Sequence, residues 1–477
     1  MTENPDPTSR RLTMVERALH LVTDVRAGEG TTALLLTLNV FTVLCAYYLI
    51  KPVREALLGA VKNGPLYKSY MGAGVAFTLF FAVRLYARLE AVWPREKLIL
   101  RVSAFFAADL VAFYFIGLTP WIKADGGATV FGLGFELWMG VFNMMVVAQF
   151  WSFAADIYTE DQGKRLFPLV AVGASLGAMV GSEVVSRLVR IVGTLQMMLI
   201  SAALLVSAGL LTQVIHARAT KGESTVGREK AATKEAPKPP GATRPGVAGT
   251  EEDKRGAYSL VLHDKYLLHI AIFTMIFTLV NTSGEYMISQ LVSDTAKQHG
   301  GGKEAIHAFI AGYMGDYFLW VNFAGLLIQL FVVSRVLKYA GFRVAFLVFP
   351  IVALASAVSI ALIPTLLAVR IGKTAENSLD YSLNNTARSM LWLPTSRRVK
   401  YVAKQAVDSF FARLGDVGSA LFVFLLVGQL HLGVRGVAAM NVVFVLLWMY
   451  VAWQIANERE RRAREHTEGR TEQETIA

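Results

Sequence analysis

Residues 33–61 read ALLLTLNVFTVLCAYYLIKPVREALLGAV, an apolar run whose only charges lie in the cluster Lys51-Pro52-Val53-Arg54-Glu55. As a helix rising 1.5 Å per residue this stretch extends ~43 Å, more than the ~30 Å of a bilayer's hydrocarbon core, which sets the charges about two-thirds of the way across. An ionisable group at that depth costs on the order of 2.5–3.5 kcal/mol on insertion scales, so it normally faces a bundle interior or a wet cavity. The segment therefore predicts a membrane-spanning helix that carries part of a solute pathway.

The rest of the chain repeats the theme. Of 477 residues 54% are hydrophobic and only 17% charged, too apolar a balance for a soluble protein of this size. Apolar runs of spanning length fall at about 33–60, 69–88, 98–118, 128–155, 166–187 and 193–215, then at about 265–290, 306–335, 341–361, 362–390, 405–429 and 432–455. The expectation is an all-α polytopic membrane protein of twelve transmembrane helices in two sets of six. Its parts are an N-terminal segment 1–32, a first six-helix bundle 33–216, a linker 217–258, a second bundle 259–456 and a tail 457–477. The linker is rich in Lys, Glu, Pro, Gly and Thr, a composition that buries too little apolar surface to fold, so it reads as disordered.

A net charge of +11 could signal nucleic acid, but the Lys and Arg residues cluster in short segments between apolar runs. The N-terminal segment, the loops around Arg88, Lys164, Arg335 and Arg397, the linker and the tail all fall on one side by helix count. The positive-inside rule makes that side cytoplasmic, with both termini there, and predicts a multi-pass protein of the cell inner membrane that binds no nucleic acid. No cleavable signal precedes the first run. The single cysteine, Cys45, rules out an intramolecular disulfide, and no histidine pair has metal-ligand spacing, so neither metal nor cofactor is expected.

The two sets of six resemble each other. Arg84-Leu85-Tyr86-Ala87-Arg88 leading to Pro94-Arg95 has a counterpart in Ser334-Arg335-Val336-Leu337-Lys338 leading to Gly341-Phe342-Arg343. More clearly, Gly177-Ala178-Met179-Val180-Gly181-Ser182 matches Gly415-Asp416-Val417-Gly418-Ser419-Ala420. A 6+6 parallel repeat is the pattern of major-facilitator-like transporters, whose substrates bind near the membrane midplane.

Candidate chemistry lies in the intramembrane charges. Tyr47, Lys51 and Arg54 share one face of the first helix, where two cations beside a tyrosine suit an anion bearing a flat ring. The competing reading has Lys51 snorkelling outward and Arg54 pairing with Glu55. Glu136, Gly140 and Asn143 form a stripe on the fourth helix; Thr278, Asn281, Glu285 and Ser289 form one on the seventh. Each carboxylate could carry a proton, bind a cation or pair in a switching salt bridge. On the tenth helix Lys373, Glu376, Asp380, Asn384 and Arg388 are expected near one face, and the eleventh opens with Lys404 and Asp408. Glu55, Asp380 and Asp408 are candidates for coupling or salt bridging. Glycines 173, 177 and 181 form a double GxxxG that predicts close helix packing. Neither a GxxxxGK[ST] phosphate loop nor a GxSxG elbow occurs, which argues against an ATPase or a serine hydrolase.

Several of these stretches together resemble the ATP/ADP translocases of plastids and obligate intracellular bacteria. Glu136-Leu137-Trp138, Phe150-Trp151-Ser152-Phe153-Ala154-Ala155-Asp156 and Lys164-Arg165-Leu166-Phe167-Pro168-Leu169 are similar to that family's ELW, FW-x-FAN and KRFY-type segments, in the same order. Tyr381-Ser382-Leu383, Met390 to Pro394, Lys404-Gln405-Ala406-Val407-Asp408 and Arg413-Leu414-Gly415 continue the likeness. The resemblance implies nucleotide exchange by alternating access without hydrolysis, with Lys51 or Arg54, Glu136, Glu285 and Lys404 as transport-critical residues. The first-helix cluster keeps the family's charge types at shifted positions, and the Asn of FW-x-FAN is Ala155.

The combined expectation is a non-enzymatic antiporter of ATP, ADP or another phosphorylated anion, working as a monomer in the lipid bilayer. Its substrate-binding candidates are Tyr47, Lys51, Arg54, Glu136, Asn143, Glu285, Arg388 and Lys404. Two alternatives stay open: a proton-coupled symporter or exporter of another organic anion or drug, and a non-transporting membrane sensor or assembly partner.

Overall fold

Inside hydrocarbon every backbone N–H and C=O must find its partner within its own segment or a closed barrel, so long apolar runs leave the chain little choice but helix. The computed structural model describes residues 13–14, 16–17, 23–26, 28–123, 125–220, 257–395 and 397–476, and among these the regular structure is helical throughout. Most of the predicted linker, 221–256, lies outside the described residues, as does most of the segment 1–32.

The first six long helices are α1 (Gly30–Gly59), α2 (Gly64–Val92), α3 (Arg95–Gly117), α4 (Asp125–Phe142, a π turn at Asn143–Val147, then Ala148–Ile157), α5 (Glu160–Val192) and α6 (Gln196–Thr220). After a short helix at Ala257–His263 come α7 (Lys265–Gln298), α8 (Lys303–Leu327, a π turn at Ile328–Val332, then Val333–Tyr339) and α9 (Gly341–Leu362). The chain closes with α10 (Leu366–Leu379, a π turn at Asp380–Asn384, then Asn385–Met390), α11 (Arg397–Ala406, π turns at Val407–Phe411 and Phe424–Gln429 around Ala412–Val423) and α12 (Val434–Ile476).

Among the described residues 11 helices are long and apolar enough to cross a membrane. The exception is α10. At ~37 Å over 366–390 it has the length of a span, but Arg370, Lys373, Glu376, Asp380 and Arg388 make it too polar to count among them. The expected twelve apolar spans are thus eleven apolar helices and one charged one. The break before α10 is built by Pro364 and by Thr365, whose hydroxyl accepts from the Ala368 N–H at 3.3 Å as the N-cap. The predicted tail does not leave the helix: α12 continues to Ile476.

The chain divides into two compact units. One comprises Met1–Leu57, Thr78–Pro245 and Lys303–Leu319; the other comprises Leu58–Phe77, Gly246–Gly302 and Trp320–Ala477. In the first, Val40, Phe150, Phe153, Leu166 and Val170 form a buried core. The second is built around aromatic rings, with Phe273 stacked on Phe346 at 4.8 Å and both Phe273 and Phe349 against Trp448.

Helix contacts in both units rest on glycine. A Cβ on Gly173, Gly177 or Gly181 of α5 would lie 2.7, 2.2 or 2.4 Å from the carbonyl oxygens of Thr37, Phe41 and Cys45 on α1. In the second unit a Cβ on Gly415 of α11 would lie 2.6 Å from the Met275 carbonyl oxygen on α7. The matched glycine segments therefore do the same job, each bringing the backbones of the fifth and first helices of its set together. Gly177→Ala pushes a methyl group into backbone that cannot move aside, at a cost of ~1–3 kcal/mol or more. Its melting temperature in detergent should drop by several degrees, whereas Gly312→Ala, whose Cβ meets its nearest atom at 3.6 Å, should melt like wild type. Equal melting of the two variants would contradict this packing.

Candidate substrate site

Pro52 lies inside α1, beside the two cations of the sequence cluster. Lys51 points its ammonium at aromatic faces, 4.0 Å from the Phe318 ring centre, 5.1 Å from Tyr48 and 5.9 Å from Tyr47. Cation–π attraction of this kind reaches about 2 kcal/mol where water is excluded. Tyr47 stacks on Phe142, which in turn stacks on Trp138 at 5.2 Å. The ELW tryptophan is fixed by donating Nε1–H to Asp109 at 3.0 Å.

Arg54 is engaged differently. Its guanidinium donates to Glu55 at 2.5 Å and lies 3.3 Å from Glu136. Both carboxylates are buried, Glu55 at 1% and Glu136 at 7% exposure, so Arg54 meets two anions taken from water. Removing one partner of such a set is expensive, while the intact set adds little stability. Asn143, expected beside Glu136, opens the π turn of α4 and is exposed. It takes no part in this ion cluster.

In the second unit the charges of α10 split into separate groups. Lys373 is fully buried and donates to Glu376 at 2.8 Å and to Asn281 at 3.1 Å. Asn377 donates to Glu285 at 3.0 Å. Asp380 accepts from Asn384 at 2.7 Å across the π turn. Arg388 lies beyond that turn and reaches elsewhere, to Asp408 at 3.5 Å and over the Phe277 ring at 5.1 Å. The expectation of one charged face along α10 is therefore corrected: the wide π turn offsets the residues that follow it. Arg388, Lys404 and Asp408 line a cavity of about 330 Å³ with Thr278, Phe277 and Trp392. Two cations, one carboxylate and aromatic walls can receive an anion carrying a flat ring.

Sequence reasoning undervalued two features. Lys373 belongs to the dense charge run of α10, but no local signal marked it as the one fully buried. Arg165, read as a loop cation, instead sits in the first turns of α5 and grips Glu29 at 2.9 and 3.0 Å. Gln162, the N3 residue of a capping box with Thr159, adds a bond to Glu29 at 3.3 Å. The signal was the buried Glu29, an acid four residues before the first apolar run.

Known proteins bear on this arrangement. The family model for the TLC ATP/ADP transporter matches residues 127–363 and 353–459. The ADP,ATP carrier protein 1 of Chlamydia pneumoniae is 22% identical over 427 residues, covering 81% of this chain and 77% of its own. Among solved structures, the nucleoside transporter NupG superposes with a TM-score of 0.58 at 12% identity, covering 89% of this chain and 98% of that one. An auto-inhibited POT family peptide transporter gives 0.59 at 11% identity over 91% and 97%. These structures are similar in fold alone; the family match spans most of the sequence, including the ELW, Lys404 and Arg388 segments. The chain belongs to the TLC ATP/ADP transporter family.

Proposed function

We propose that this protein exchanges nucleotides such as ATP and ADP across the cell inner membrane by alternating access, with both termini cytoplasmic. The observation that carries the reading is the family match along most of the membrane chain, joined to Arg388 and Lys404 within the matched residues. Lys51 with its aromatic surround, and Arg388 with Lys404 at the cavity of about 330 Å³, offer phosphates positive charge and offer a base flat faces. Glu136 and Glu285 are the carboxylates that re-pair when substrate leaves, and Asp408 holds Arg388 in the meantime. Exchange follows from electrostatics: cations in a low-dielectric pathway are costly to reorient empty, and a bound anion offsets their charge.

The direct test is uptake of labelled ATP and ADP into proteoliposomes loaded with or without unlabelled nucleotide. Uptake should require internal nucleotide and should ignore a proton uncoupler. Uptake that collapses with the uncoupler would establish a proton-coupled carrier instead, and no uptake by folded protein would remove nucleotides as substrates.

Single substitutions separate the two first-helix cations. Lys51→Ala should lower exchange by roughly tenfold or more, a loss of at least about 1.4 kcal/mol, with the melting temperature little changed. Arg54→Ala removes the guanidinium that meets Glu55 and Glu136 and should destabilise the fold by ~3–5 kcal/mol, visible as early melting before any transport is measured. Full exchange by Lys51→Ala would remove that lysine from the substrate path.

A further inference from the structure

The two sets of helices can be aligned on structure rather than on residue likeness. Gly177 on α5 meets the carbonyl oxygen and Cα of Phe41, and Gly415 on α11 meets the same two atoms of Met275, which equates Phe41 of α1 with Met275 of α7. The π turns at Asn143–Val147 and Asp380–Asn384 equate Asn143 of α4 with Asp380 of α10. Both pairings, and that of Gly177 with Gly415, lie about 235 residues apart, as a duplicated chain with small length changes requires. Counting along the helices from these anchors, Lys51 corresponds to Glu285 and Glu136 corresponds to Lys373.

The first and fourth helices of each set thus carry one cation and one carboxylate at equivalent places, with the signs reversed. In the first unit Glu136 of α4 reaches the charge of α1 through Arg54 at 3.3 Å. In the second, Lys373 of α10 donates to Asn281 of α7 at 3.1 Å, and Asn377, one turn further along α10, donates to Glu285 at 3.0 Å. Room for the ammonium is made by Gly284, where a Cβ would stand 2.7 Å from Nζ. On the same helix Lys373 donates to Glu376 at 2.8 Å, and Asp380 accepts from Asn384 at 2.7 Å. A buried pair of this kind adds little stability over apolar side chains of the same volume, so stability alone does not account for a fully buried lysine.

We infer that Lys373 is a positioning residue for Glu285, the charge-inverted counterpart of Glu136, and that it compensates the Glu285 carboxylate during transport. The inference rests on the proposed nucleotide exchange for its transport arm only. Its test uses Lys373→Met, Lys373→Arg, the double variant Lys373→Met/Glu376→Gln, and that double variant with Glu285→Gln added. The double variant removes the local pair cleanly, so a lysine that served Glu376 alone would leave it melting and exchanging like wild type.

Positioning of Glu285 predicts otherwise. The double variant should lose roughly tenfold in exchange, seen mainly as a raised KM, while Lys373→Arg keeps most of it. Its melting temperature should also fall several degrees below wild type, because a membrane carboxylate that loses a compensating cation costs stability. Adding Glu285→Gln should recover most of that fall. Melting needs no substrate, so if wild type exchanges no nucleotide the functional reading fails while the melting comparison still decides on Lys373. A double variant that melts like wild type, whatever its exchange, overturns the inference.

Discussion

A charge in hydrocarbon has to be answered within its own bundle, and the arrangement of α1, α4, α7 and α10 follows from that requirement. Arg54 between Glu55 and Glu136, and Lys373 between Glu376 and Asn281, are solutions of the same problem. Each brings a residue of the set's first helix to one of its fourth. Because the partners come from different helices, each ion cluster also fixes how those helices are rotated about their axes, which apolar packing against lipid would leave loosely determined. Lys51 adds ring contacts to the charges of α1, its ammonium lying over the faces of Phe318, Tyr48 and Tyr47.

Close backbone contact supplies the second constraint. The glycine ladder of α5 on α1 leaves no space for a side chain, so the ion cluster of α1 is carried on a helix whose position is set at van der Waals distance. Pro52, inside that helix and between the two cations, has no N–H to give to the preceding turn.

Much of this was legible beforehand. Spans, repeat and family could be read because hydrophobic length, loop charge and motif order are local properties of a sequence. Glycines 173, 177 and 181 marked α5 for close helix packing, since small residues at i, i+4 spacing have few other uses in a membrane helix. Partners were harder. The identity of Lys373 as the fully buried cation depends on Gly284 of another helix, and the grip of Arg165 on Glu29 joins residues 136 positions apart. The single charged face expected on α10 assumed an unbroken 3.6-residue repeat, which the π turn at Asp380–Asn384 interrupts.

That turn has a consequence for how such a carrier diversifies. A π turn holds one more residue than an α turn, so side chains beyond it are advanced by ~100° in azimuth relative to those before. On α10 the segment with Lys373 and Glu376 and the segment with Arg388 therefore aim in directions set by a single inserted residue. Loss of one residue within 380–384 would restore a regular helix and swing Arg388 away from Asp408 while leaving Lys373 against Asn281. Length variation at this one point can re-aim one group of charges without disturbing the other, so the two ends of the helix are free to adapt to different ligands independently.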